Sequence, residues 1–193
     1  CRALLKLTDI VFTEKIPTMA VTISKSPALL INLNFCQQHL ESENDVKALM
    51  LHEFLHVLLL HTEKYETSNP LLNIALDAII NAIIYRYNGM DYAGFFVRFY
   101  KWEKMSFLLR PKADGLGLDM DWMQIHDQIY KGKYCADDLY ELLKYLTTRI
   151  KKGEIENIEL LGDHTDKAIS NEMKKVLSDI LKKMDGTLIW NKP

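Results

Sequence analysis

Two long stretches dominate this chain: ESENDVKALMLHEFLHVLLLH (41–61) and PLLNIALDAIINAIIYRY (70–87). Both are apolar nearly all round, and such helices are buried in a core. Both also carry ionisable or amide groups at helical spacing, where an apolar interior makes them costly. That conflict restricts the fold, because the polar groups on the two helices must find compensation inside it.

The first helix is expected to start at Ser42, with Asp45 three residues on in a capping-box-like pattern. In the second, Asn69 suits the N-cap, Pro70 the first helical position, and Asn88-Gly89 the stop. TEKYETS (62–68) joins them as a polar connection. Upstream, TMAVTIS (18–24) and ALLINLNF (28–35) are rich in β-prone residues and predict two strands forming a hairpin. Residues 1–15 predict an amphipathic opening segment of helical character. Residues 89–121 are aromatic, contain glycine and predict irregular structure. Short helices are expected near 122–131 and 137–150, then a loop around LLGDHTD (160–166) and an amphipathic helix over 167–184. The fold class expected is α+β, mainly α, as a single domain over 1–193. A small sheet would lie beside the first long helix, which pairs antiparallel with the second. The site core falls at about 18–88 and a helical C-terminal part at about 120–190.

The first helix contains His52-Glu53-Phe54-Leu55-His56, an HExxH pattern. Residues four apart share a helical face, so both imidazoles can reach one metal ion. Glu53, one residue further round, can meet a water on that ion without ligating it and can take its proton. A core helix whose histidines are satisfied by hydrogen bonds is the plainer alternative. It leaves two imidazoles and a carboxylate within one turn to be compensated.

A catalytic zinc usually takes three protein ligands and a water. His61 is near in sequence. Nine residues at about 100° each, however, place it about half a turn round the helix from His52, and VLLL offers no chain breaker. His61 is therefore expected on another face, as a cap, surface or packing residue, and stays the alternative third ligand. Asn73, Asp77 and Asn81 form one polar stripe on the second helix, at i, i+4 and i+8. If the helices pair antiparallel, Asp77 comes level with His56 and Asn81 with His52, at about 1.5 Å rise per residue. Asp77 is then the expected third ligand. Asn81 would orient His52 through its other ring nitrogen, and Asn73 would hold the connection or Asp77. The alternative is a stripe of satisfied helix-packing residues.

Other features are weaker. Either strand could offer an edge to an extended peptide, or simply cover the core. Asp163-His164 could stabilise an oxyanion but reads more simply as a surface pair. His39 and His126 have no recognisable context. The aromatic cluster of Tyr92, Phe95, Phe96, Phe99, Tyr100 and Trp102 reads as core. The net charge of −2 gives no reason to expect nucleic acid or an anionic membrane as partner. No apolar run reaches the ~18 residues of a membrane span, and no signal peptide is recognisable. Cys1, Cys36 and Cys135 are widely spaced and predict reduced thiols in a cytoplasmic setting. Beginning at Cys1, the sequence also suggests a start inside a longer protein.

AVTISKSPALLINLNF, ALMLHEFLHVLLLHTEK and LLNIALDAIIN together resemble a bacterial and phage metallopeptidase-domain family whose activity is assigned by prediction. The family pattern, HExLH with a further His five residues on and an N-I-A-x-D-x-x-I-N helix, is matched at His52, Glu53, Leu55, His56, His61, Asn73, Asp77 and Asn81. KGKYCADDLYELL (131–143) and GDH (162–164) are similar to later family segments. The resemblance implies a zincin-like fold and zinc peptidase activity on a peptide or protein substrate. It also implies a von Willebrand A-like domain or an AAA ATPase as partner, and it keeps His61 among the ligand candidates. The expected function is that of a zinc metallopeptidase with one Zn²⁺ held by His52, His56 and Asp77, and Glu53 activating water. The alternatives are a non-catalytic, zinc-stabilised peptide- or protein-binding module, and a helical interaction domain without metal.

Overall fold

The computed structural model describes residues 5, 6, 8–22, 27–61, 69–100, 104–111, 120–148 and 161. Over these the chain is α+β and mainly helical. Strands β1 (Asp9–Phe12), β2 (Met19–Thr22) and β3 (Ala28–Ile31) are followed by helices α1 (Leu33–His39), α2 (Glu43–Leu58), α3 (Pro70–Asn88) and α4 (Met90–Phe99). A 3-10 helix (Lys104–Leu109), α5 (Met120–Tyr130) and α6 (Ala136–Thr147) complete the order.

The expected hairpin forms, with β2 and β3 antiparallel and Met19 opposite Ile31. Its second strand is shorter than ALLINLNF suggests. Asn32 ends it by sending its backbone N–H to Thr18 O at 2.9 Å and its side-chain amide to Ile16 O at 2.7 Å. The Asn32 side-chain oxygen then accepts from the Asn34 and Phe35 amides, capping α1. The opening segment departs from expectation more sharply. Residues 9–12 are a strand, not a helix, and run parallel to β3 on the side away from β2. Ile10, Val11 and Phe12 suit a pleated strand, and a partner sixteen or more residues on decides the matter.

α2 starts as anticipated. Ser42 and Asp45 form a reciprocal capping box. The Asp45 carboxylate also accepts from the Glu41 amide at 2.8 Å and meets Arg98 of α4 at 2.6 Å. Burial pushes this carboxyl up, but Arg98, the Glu41 amide and the Ser42 side chain outweigh it, and the net shift is downward. Asn69 caps α3 by accepting from the Leu71 and Leu72 amides, and Gly89 ends the helix at φ 63°.

α3 is the central element, packed against α2, α4, the 3-10 helix, α5 and α6. Leu76, Ile74, Ile80 and Ile84 are fully enclosed on it, as are Leu49 and Phe54 on α2. Each such side chain contributes about 1.5–3 kcal/mol on burial.

The stretch expected to be irregular, 89–121, is ordered over much of its length as α4 and the 3-10 helix. Its aromatics are mediocre helix formers. Ala93, Phe95 and Phe96 nevertheless pack inward, and tertiary burial overrides propensity. Phe95, Phe96 and Tyr100 are core residues as expected, and Tyr92 and Phe99 pack at its margin, while Trp102 lies outside the described residues. So do the 160–166 loop and the 167–184 helix. Cys36 and Cys135 are free thiols. Among the described residues no helix is long and apolar enough to cross a membrane.

Candidate metal centre

The α2–α3 pairing brings the expected residues together. His52 and His56, one turn apart on α2, place their Nε2 atoms 3.2 Å from each other. Asp77 Oδ1 of α3 lies 3.2 Å from His56 Nε2 and 3.8 Å from His52 Nε2. All three residues are buried. Ligands about 2.05 Å from a tetrahedral zinc ion sit about 3.3 Å apart, so these spacings approach one face of that tetrahedron. His52, His56 and Asp77 thus form a buried group that could hold a metal ion.

Asn81 fixes the chemistry of His52. Its side-chain nitrogen donates to Leu109 O at 2.9 Å, and a backbone carbonyl can only accept. Its Oδ1 must therefore face His52 Nδ1, 2.8 Å away, which carries the proton and donates it. That leaves His52 Nε2 with a lone pair directed at His56 and Asp77. The expected contact of Asn81 with the second ring nitrogen of His52 is present, and it is anchored by a backbone carbonyl of the 3-10 helix. Asn73 is half-buried one turn before Asp77 on the same stripe. Glu53 is buried beside His52 and stands outside the three-residue group.

His61 is on the far side of His56 from the group. Its Nδ1 lies 3.2 Å from His56 Nδ1, the nitrogen turned away from Asp77. The premise that VLLL lacks a breaker does not hold. α2 stops at Leu58, and Leu60 adopts a left-handed φ of 57° without being glycine. This costly conformation turns the chain so that His61 folds back, buried, against His56. His61 is buried against His56, a specific partner that the uninterrupted-helix count missed.

The other histidines have structural partners. His39 lies against Phe35 and Phe99. His126 donates from Nε2 to Arg110 O at 2.8 Å. Asp163 and His164 fall outside the described residues. β2 is an outer strand of the sheet and packs against α2, as a strand beside the histidine helix should.

Tyr100, assigned to the core from sequence, is buried there. Phe96, one turn earlier, has its ring centroid 6.0 Å from that of His52. Arg110 donates to Tyr100 O at 2.9 Å, and Leu109, next to Arg110, is the residue that anchors Asn81. Burial holds the Tyr100 hydroxyl well above the usual phenol range and the charge of Asp77 adds to this, while a hydrogen bond with the Leu161 backbone pulls it partly back. The signal available in the sequence was only the helical spacing of Phe96 and Tyr100, which a core residue shares.

No protein-family model matches the chain, and neither a curated protein nor a solved structure matches it.

Proposed function

We propose that the chain is a zinc-dependent peptidase of zincin-like build, in which His52, His56 and Asp77 hold one Zn²⁺. The observation that carries this reading is the convergence of three candidate ligand atoms, with His52 Nε2 set as a lone pair by Asn81 and Leu109. Ligand atoms so placed in an apolar interior suit a cation. The motif resemblance of residues 18–84 points the same way.

A zinc ion held by His52, His56 and Asp77 would supply Lewis-acid polarisation of a carbonyl and would lower the pKa of water toward ~7. The chain's residues do the rest. Asn81 holds His52 in the binding tautomer, and His61 backs His56. Glu53 takes a proton from the attacking water and passes it toward the nitrogen of the leaving amine. Its position next to His52 on α2, outside the ligand group, suits that role.

Burial of all three ligands favours a second reading, a zinc-stabilised module that binds a peptide or protein without cutting it. Glu53→Gln separates the two. On the peptidase reading the variant keeps stoichiometric zinc and loses about a hundredfold or more in hydrolysis of a peptide cut by the wild type. Undiminished turnover would exclude the mechanism. A wild type that holds zinc and cuts no peptide in a random-sequence library leaves the binding module.

A further inference from the structure

Among the described strands, β1 alone buries none of its residues. Ile10, Val11 and Phe12 are 55%, 41% and 61% exposed, although a fold usually turns such side chains inward. The register with β3 shows how this arises. Ile10 stands beside Leu29 and Phe12 beside Ile31, which in turn stand beside Val21 and Met19 of β2. Neighbours across a ladder share a face. Ile10 and Phe12 therefore belong to the face that buries Met19, Val21 and Leu29. The cover that α2 gives β2 leaves them in the open.

The β1 backbone has an open side as well. The Asp9 amide donates to Pro27 O and the Thr13 amide to Ile31 O, both at 2.9 Å. Alternate residues of a strand turn their N–H and C=O to opposite sides. Asp9, Val11 and Thr13 thus serve β3, and Ile10 and Phe12 turn theirs to the outer edge. Among the described residues no strand lies on that side. A flat apolar edge is a template for another strand.

We infer that this edge pairs with β1 of a second copy of the chain. The strand is complementary to itself. Antiparallel pairing about a two-fold axis gives both copies the same surroundings. With Val11 opposite Val11 of the second copy, Ile10 faces the second copy's Phe12, and these residues exchange N–H···O bonds. That register uses the groups already turned to the edge. An axis normal to the sheet also keeps the inner faces on one side, so Ile10 and Phe12 of both copies meet in one apolar cluster. Asp9 falls opposite Thr13, and no like charges oppose each other. β2, at the other end of the sheet, takes no part, and the pairing does not rest on the zinc reading. Strands this short bury less than the ~1,200–2,000 Å² of a tight interface, which sets the expected Kd at about 10–100 µM.

Sedimentation velocity on the whole chain should show a reversible dimer in that range. Ile10→Lys combined with Phe12→Lys keeps the β1–β3 backbone bonds and brings like charges together at the edge. It should weaken the dimer at least about tenfold, with an unchanged circular dichroism spectrum. Cysteine variants test the register, in a chain whose Cys1, Cys36 and Cys135 are replaced by serine. Opposed Val11 positions have Cα atoms about 4.5 Å apart, within disulfide reach, so Val11→Cys should give a covalent dimer on mild oxidation. Ile10→Cys, two residues out of register with its equivalent, should not.

A chain that stays monomeric up to about 500 µM, several times the expected Kd, would overturn the inference. Hydrogen exchange on such a monomer shows whether another segment protects the Ile10 and Phe12 amides instead. A dimer that the paired lysines leave intact lies elsewhere on the molecule and is equally fatal. Should the lysine variant fail to fold, the cysteines decide, and equal cross-linking of Val11→Cys and Ile10→Cys refutes the pairing.

Discussion

Removing the Asp77 carboxylate tests the centre most directly. Asp77 is the one ligand candidate on α3, and its Oδ1 reaches both imidazoles, at 3.2 and 3.8 Å. Tetrahedral zinc sites bind their ion with about 10–16 kcal/mol, or about 2.5–4 kcal/mol for each of four ligands. Loss of one ligand therefore weakens zinc by about two to three powers of ten in Kd. His61 gives the internal comparison, because it reaches only the far nitrogen of His56, at 3.2 Å. Groups that support a ligand in this way contribute about ten- to a hundredfold in affinity. Asp77→Ala should accordingly lose more zinc affinity than His61→Ala, by about an order of magnitude. The assay is competition with a chromophoric chelator on metal-stripped proteins, with circular dichroism showing that each variant is folded. An Asp77→Ala protein with wild-type affinity, or a larger loss in His61→Ala, would refute the assignment.

Two further outcomes follow from groups outside the ligand set. Asn81→Ala leaves the His52 Nδ1–H and the Leu109 carbonyl without their bonds in a fully enclosed place. At about 1–3 kcal/mol for each group, urea unfolding of the metal-free variant should show a loss of about 2–6 kcal/mol, and zinc should weaken about ten- to a hundredfold. Unchanged zinc affinity would remove Asn81 from the centre. Asp45→Asn should lower stability at neutral pH by about 1–2 kcal/mol through the weakened capping box and the lost Arg98 pair. The Asp45 carboxyl is depressed on folding, so its stabilisation is present above the unfolded value near ~3.9 and fades as pH falls through the lower folded value. The gap between wild type and variant should close in that acid window, and a gap independent of pH would contradict the linkage.

The parts of the fold that the sequence makes legible are those written in local chemistry. Ser42 with Asp45, Asn69 with Pro70, and Asn88 with Gly89 mark helix ends because capping is a matter of a few neighbouring residues. The match of Asp77 to His56 and of Asn81 to His52 was legible because helical rise is constant and the connection is short. Other features depend on partners distant in sequence. β1 is a strand because β3 offers it a parallel edge, and α4 is a helix because α2 and α3 cover its aromatic face. The Leu109 carbonyl that orients Asn81 has no side-chain signature at all.

Leu60 shows why residue counting failed where it did. The half-turn offset between His52 and His61 assumes that the helix continues, and leucine gives no reason to stop. The structure stops it at Leu58 and holds Leu60 at φ 57°, a conformation that leucine adopts only when its surroundings over-determine it. What that conformation achieves is the contact between His61 and His56. His52 and His56 are thus each backed on the nitrogen that faces away from Asp77, His52 by Asn81 and His56 by His61. A ring held from behind presents Nε2 forward with little freedom left to lose. An ion entering such a centre would meet ligand atoms already aimed, with the ordering cost met during folding rather than at binding.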